Sequence, residues 1–167
     1  KGHSLLSFPH FNLIRLNSNF DKLTKEEQEE QEKWLEESLE LSKENNKKII
    51  ICFHHSPFSS VSSSSNYHVQ RLRKKFVPLF EKYNENIIIV LSGHKHLYER
   101  SIKNKVHYLV SGPAGGLRAF SIRKNPYSVF KKSLRSTFTH LSIKNDILEL
   151  KTYARKGELI DFLTFYL

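Results

Sequence analysis

Three of the nine histidines in this 167-residue sequence fall where simple chain geometry lets them act together. His94 and His96 sit two residues apart in Gly93-His94-Lys95-His96, directly after the apolar run Ile87 to Leu91. In extended backbone, residues i and i+2 point to one side, about 6.5 Å apart. Both imidazoles would then face one pocket while Lys95 points away, and Gly93 lets the chain turn just before them. His55 follows a second apolar run, Ile49 to Phe53, in His54-His55-Ser56-Pro57. Neutral imidazoles bind zinc, iron, manganese and related ions, so His55, His94 and His96 are expected to share one metal-bearing site. A lone histidine at a strand end is more often structural; three at one edge are a different matter. His54 stays open, because adjacent strand residues face opposite ways. His68, opening a helix after a serine-rich loop, reads either as a substrate-phosphate contact or general acid, or as a polar residue near a helix start. His107 and His140 lie in alternating strands and read as structural. His3 and His10 read as surface or turn residues.

The elements around these residues explain why they should meet. Leu5 to Leu16, turning at Pro9-His10, suggests a hairpin. Thr24 and Glu27 form a capping box, and Trp34, Leu35, Ser38 and Leu41 make a helical stripe, so a helix is predicted from about Lys25 to Glu44. Ile49 to Phe53 reads as a strand covered on both faces. Leu72, Phe76, Leu79, Phe80 and Tyr83 predict a second helix that Pro78 kinks or splits. Strand, helix, strand implies a parallel unit with the two apolar strands as neighbours. Their carboxyl ends, where ligand sites of open α/β sheets lie, would bring His55 to His94 and His96. The rest reads as β-rich: Val106 to Val110, the glycine loop Gly112 to Gly116, a basic irregular stretch through Leu134, and a meander over Phe138 to Ile143, Leu148 to Tyr153 and Leu159 to Tyr166 that closes one sheet. Asn145-Asp146 and Lys156-Gly157 are its turns. Tyr98, Glu99 and Arg100 read as packing and ion pairing behind the site.

Composition bounds the alternatives. Length and a 38% hydrophobic content fit one globular domain. No apolar run approaches the roughly 20 residues needed to span a bilayer, so a soluble chain without membrane contact is expected. Twenty-seven Lys and Arg against 17 Asp and Glu give +10, which favours anionic ligands. The basic residues are spread along the whole length without an aromatic recognition motif, which ranks a phosphate-bearing small substrate above nucleic acid. The lone Cys52 excludes an intramolecular disulfide framework and reads as a buried thiol.

His55-Ser56-Pro57 after a strand, then Gly93-His94-Lys95-His96-Leu97-Tyr98-Glu99-Arg100, resembles the last two motifs of the calcineurin-like metallophosphoesterases, and Tyr98-Glu99-Arg100 is similar to their purple acid phosphatase branch. The resemblance implies a four-layer α/β/β/α sandwich, of which residues 1–167 would be a single partial domain, the C-terminal half, with mixed sheet and flanking helices. It implies phosphate monoester hydrolysis by a two-metal mechanism, with Fe, Zn or Mn as the divalent or trivalent ions. On that pattern His55 and His94 serve one ion and His96 the other, while His54 and His68 face the substrate and His68 acts in catalysis. An extracytoplasmic location follows by analogy only, since no secretory leader is visible.

The departure from the pattern carries its own expectations. The family's other ligands come from Gly-Asp and Gly-Asn-His segments that precede these motifs, whereas the only aspartates here are Asp21, Asp146 and Asp161, none after glycine. Three neutral imidazoles carry too little charge to hold two cations close together. The chain is therefore expected to bind no ion or one, to be inactive alone, and to need the N-terminal half in cis or as a second chain. With no methionine, Lys1 is not a translation start, and an apolar face left for the missing half predicts self-association. The alternative is a catalytically incomplete metal-binding or interaction module.

Overall fold

The computed structural model describes residues 2–61, 66–113, 116–117 and 121–167. Strands β1 (Ser4–Ser7) and β2 (Phe11–Arg15) form the expected hairpin, with Ser7 opposite Asn12. Helix α1 (Lys25–Glu44) begins where the capping box puts it: the Glu27 amide donates to Thr24 Oγ1 at 3.2 Å and the Thr24 amide to Glu27 Oε2 at 2.8 Å. Its buried stripe runs through Leu35, Ser38, Leu39 and Ser42, while Leu41 is 55% exposed. The stripe advances by four from Ser38 to Ser42, which turns Leu41 off it. Asn12 Nδ2 donates to Ser42 Oγ at 2.8 Å, pinning the helix to β2.

Strand β3 (Lys48–Cys52) pairs in parallel with both β2 and β4 (Ile87–Ser92). Between β3 and β4 the chain forms α2 (Tyr67–Arg71), a π-helical turn over Leu72–Phe76, and α3 (Val77–Lys82). Pro78 directly follows the π-helical turn in an unbroken helical run, and the widened turn accommodates the N–H that it lacks. The widened turn lets Leu72, Phe76, Phe80 and Tyr83 all reach the core. Of the serine-rich loop, residues 62–65 lie outside the described residues.

Strands β5 (Leu97–Lys103), β6 (Val106–Ser111) and β7 (Ser128–Ser133) complete a seven-stranded mixed sheet in the order β1-β2-β3-β4-β6-β5-β7. The basic stretch read as irregular thus contains β7, an edge strand. Its exposed Val129, Lys131 and Lys132 hide the apolar pattern of an inner strand. The closing meander β8 (Thr137–Lys144), β9 (Ile147–Ala154) and β10 (Leu159–Tyr166) does not extend that sheet. It forms a separate antiparallel sheet, β10-β9-β8.

The central sheet is covered on both faces. On one side α1 and the second helical segment pack Leu35, Leu39, Phe76 and Phe80 against Ile14, Ile49 and Ile51. On the other, Leu148 and Leu150 of β9 meet Ile50, Ile89, Tyr98 and Leu109. The described residues therefore make helix, sheet and second sheet: a fragment of the expected four-layer sandwich. Asp161 of β10 ties the two sheets, accepting from Tyr98 Oη and Arg100 Nε at 2.8 Å each. Among the described residues no helix is long and apolar enough to cross a membrane.

Candidate metal centre

Parallel pairing delivers two strand ends to one edge. The Phe53 amide donates to Leu91 O at 3.1 Å and the Gly93 amide to His54 O at 3.0 Å, carrying the β3–β4 register past the last residues of both strands. His54, His55 and His94 meet there, each offering a nitrogen within 4.8 Å of the others'. His54 Nε2 and His94 Nδ1 are 3.0 Å apart. His55 is 4% exposed, whereas His54 and His94 face solvent.

The segment from His94 to His96 is not extended, so the argument that placed both rings on one side of a strand fails in its detail. His94 has φ +61°, and amide bonds from Lys95 to Gly93 O (2.7 Å) and Leu97 to Lys95 O (2.8 Å) fold the segment into consecutive tight turns. His96 is not one of the three clustered donors; its Nδ1 lies 2.7 Å from Gly116 O. A carbonyl only accepts, so Nδ1 carries the proton and Nε2 keeps its lone pair for a ligand. Gly112 makes this packing possible. A Cβ there would stand 1.7 Å from Lys95 O, and its amide donates to Leu97 O at 3.3 Å. Ala114 and Gly115 of the glycine loop lie outside the described residues.

His55 is held by Ser18, whose Oγ accepts its amide at 2.9 Å and lies 3.0 Å from its Nδ1. His68 does come to the site, its ring stacked on His55 at 4.2 Å. The Phe20 amide donates to His68 Nδ1 at 3.2 Å, leaving the ring proton on Nε2, 3.6 Å from Asp21 Oδ1. His107 and His140 lie apart from the cluster. His107 packs edge-on against Phe165 of β10, and His140 is exposed on β8.

Burial pushes the His55 imidazole down to about 4, and the neighbouring His68, His94 and His54 add to this while the bond to Ser18 opposes it. His94 is lowered by partial burial and by Lys95, and burial lowers Lys95 itself. His55 and His94 are thus both pushed toward the neutral imidazole, the protonation state a cation needs. No aspartate joins the cluster: Asp21 faces His68, Asp146 lies 3.3 Å from His10, and Asp161 binds Arg100. The donors fit a single borderline cation, since Zn–N bonds of 2.0–2.1 Å in a tetrahedron put nitrogens about 3.3 Å apart, near the 3.0 Å between His54 and His94.

Sequence reasoning missed Ser18, the Phe20 amide and the Gly116 carbonyl, and noted Gly112 only as part of a glycine loop. The Phe20 amide and the Gly116 carbonyl act through backbone groups, and Gly112 acts through the Cβ it lacks. Asn17-Ser18-Asn19 reads only as a polar loop.

No curated protein matches the chain. Its fold is similar to that of GAP50, the anchor in the inner membrane complex of Plasmodium, at 20% identity and a TM-score of 0.76, covering 99% of this chain and 53% of that one. It is also similar to the purple acid phosphatase PPD1 from yellow lupin seeds, at 20% identity and 0.73, covering 98% and 32%. A dimetal phosphatase from Danio rerio matches at 14% identity and 0.62, covering 98% and 60%. These likenesses concern the fold, and the chain spans between a third and three fifths of each of those proteins. The model of one family, calcineurin-like phosphoesterase, matches residues 2–98, from the first hairpin through both histidine segments. Matched over more than half of its length, the chain belongs to the calcineurin-like phosphoesterase family.

Proposed function

We propose that this chain is the C-terminal half of a metal-dependent phosphoesterase domain that hydrolyses phosphate monoesters, with His55, His94 and His96 as its share of the metal ligands. The observation that carries the reading is the convergence of the two strand-end segments, which brings His54, His55 and His94 within 4.8 Å of one another. Two metal ions, when bound, would supply a nucleophile at neutral pH and stabilise charge on phosphorus. The chain's own residues do the remaining work. Ser18 orients His55, Gly116 O fixes the tautomer of His96, and His68 holds its proton on Nε2 beside the cluster, where it can be given to a leaving oxygen. His54, exposed at the rim, faces the substrate.

The remaining ligands would come from the rest of the domain, in cis or as a second chain. The fraction of each relative that the chain spans supports this, as does the lack of any carboxylate in the cluster. The test is an aryl phosphate assay on the complete domain. Metal-dependent turnover should disappear in His55→Ala and in His96→Ala, and turnover surviving in both would overturn the assignment.

A second reading is favoured by the 3.0 Å approach of His54 to His94: a non-enzymatic module holding one ion through His54, His55 and His94. Elemental analysis separates the two. One ion per chain, lost in His54→Ala and kept in His96→Ala, supports the module, and two tightly bound ions exclude it.

A further inference from the structure

A pocket of about 380 Å³ that neither reading uses lies beside the segment that holds His96. It starts at Leu117, one residue beyond Gly116, whose carbonyl is 2.7 Å from His96 Nδ1. Its other walls are the β7–β8 connection, with Leu134 and Arg135, and the β9–β10 turn, with Arg155, Lys156 and Glu158. The volume lies within the roughly 300–1,000 Å³ of small-molecule sites.

Two hydrogen bonds brace the walls: the Arg155 amide donates to Ser136 O at 3.0 Å and the Ala154 amide to Glu158 O at 2.8 Å. Arg135 Nη1 bonds Glu158 Oε2 at 2.7 Å across the opening. That pair neutralises the pocket's one carboxylate. Arg155 and Lys156 have no ion-pair partner among the described residues, so the lining keeps an excess of two positive charges. Leu117 and Leu134 leave at least half of their surface open beside these cations. Unpaired cations next to open leucines suit an organic anion with an apolar body rather than a bare ion.

Resting on the phosphoesterase reading, we propose that this pocket receives the leaving-group end of the substrate. The substrate class is then a phosphate monoester whose leaving group joins an apolar body to a second anionic group. The phosphoryl end would sit at the histidines and the second anion against Arg155 and Lys156, with His96 and Gly116 between them.

The test is equilibrium binding on the 167-residue chain, with zinc and without, followed by amide chemical shifts. The probes are phenyl phosphate, 4-carboxyphenyl phosphate and benzoate. With zinc, 4-carboxyphenyl phosphate should bind about fivefold more tightly than phenyl phosphate, an advantage in keeping with exposed ionic contacts. Arg155→Ala combined with Lys156→Ala should erase that advantage and leave phenyl phosphate unaffected. Both side chains are exposed, so the double variant retains the fold. Equal affinity for the two esters, or an advantage that survives the double substitution, overturns the proposal. Benzoate should shift the Arg155 and Lys156 amides even without metal, and no shift there also overturns it. If benzoate seats there while zinc strengthens neither ester, the organic-anion pocket stands and its role as the leaving-group site of this chain's histidines is overturned, while the phosphoesterase reading keeps its own test on the complete domain.

Discussion

His94 shows most directly what the site demands of single residues. It holds φ +61°, in the left-handed region that side chains other than glycine enter at a cost of about 1–3 kcal/mol. Glycine would relieve that strain and remove a donor. His94→Gly is therefore expected to leave the metal-free chain as stable as the parent or about 1 kcal/mol more stable, while zinc affinity falls at least tenfold. Parallel thermal melts and zinc titrations check both arms, and a variant both less stable and unimpaired in zinc binding would contradict the assignment. His107 makes a different point. Its Nδ1 is buried without a hydrogen-bond partner among the described residues, and burial lowers its pKa, with Arg100 adding to the shift and Asp161 opposing it. The unfolded chain takes up this proton near pH 6.5 while the folded chain resists, so stability falls as pH drops below 6.5. His107→Phe should flatten the loss between pH 7 and 5 in denaturant titrations. A residual slope of the same sign remains from His55, which the fold keeps neutral down to about 4.

At the scale of elements, the site depends on how closely the β6 exit packs against the turns between β4 and β5. Gly112 carries that contact, because any Cβ would drive into the Lys95 carbonyl and main-chain atoms must move to admit it. Gly112→Ala is expected to cost about 2 kcal/mol or more and to weaken metal binding, since the displaced segment holds His94 and His96. Denaturant midpoints and zinc titration test this, and a variant indistinguishable from the parent in both would show the contact to be dispensable. The legible elements were those with strong local signals. The capping box set the start of α1, and unbroken apolar runs set β3 and β4, whose burial on both faces the sheet order explains. Strand β7 was illegible because an edge strand with Lys131 and Lys132 facing solvent keeps little of the inward pattern.

At the scale of the whole molecule, the outer face of the β8–β10 sheet presents aromatic side chains to solvent. Phe138 and Phe162 are 53% and 46% exposed and Tyr166 is 79% exposed, on a layer whose inner side is already filled by Leu148 and Leu150. Phe138 stacks on Tyr153 at 5.4 Å and Lys151 covers Phe162, which shields part of the patch. Self-association of the isolated chain at micromolar concentrations is expected. Phe138→Glu with Phe162→Glu should abolish it without loss of secondary structure, as read by sedimentation velocity and circular dichroism. A monomeric parent would refute the expectation.

The sequence by itself determined the bounds of α1, the covered strands, the family and the two strand-end segments that bring histidines to one edge, because capping, periodicity and short motifs are local. Only the tertiary structure decided which nitrogens are free. Ser18 reaches His55 across 37 positions, Gly116 reaches His96 across 20, and His54 meets His94 across 40. Gly116 acts through a carbonyl common to all residue types, and Ser18 and His54 find partners far away in the chain, so the pairing is set by the packed fold and leaves no local mark in the sequence.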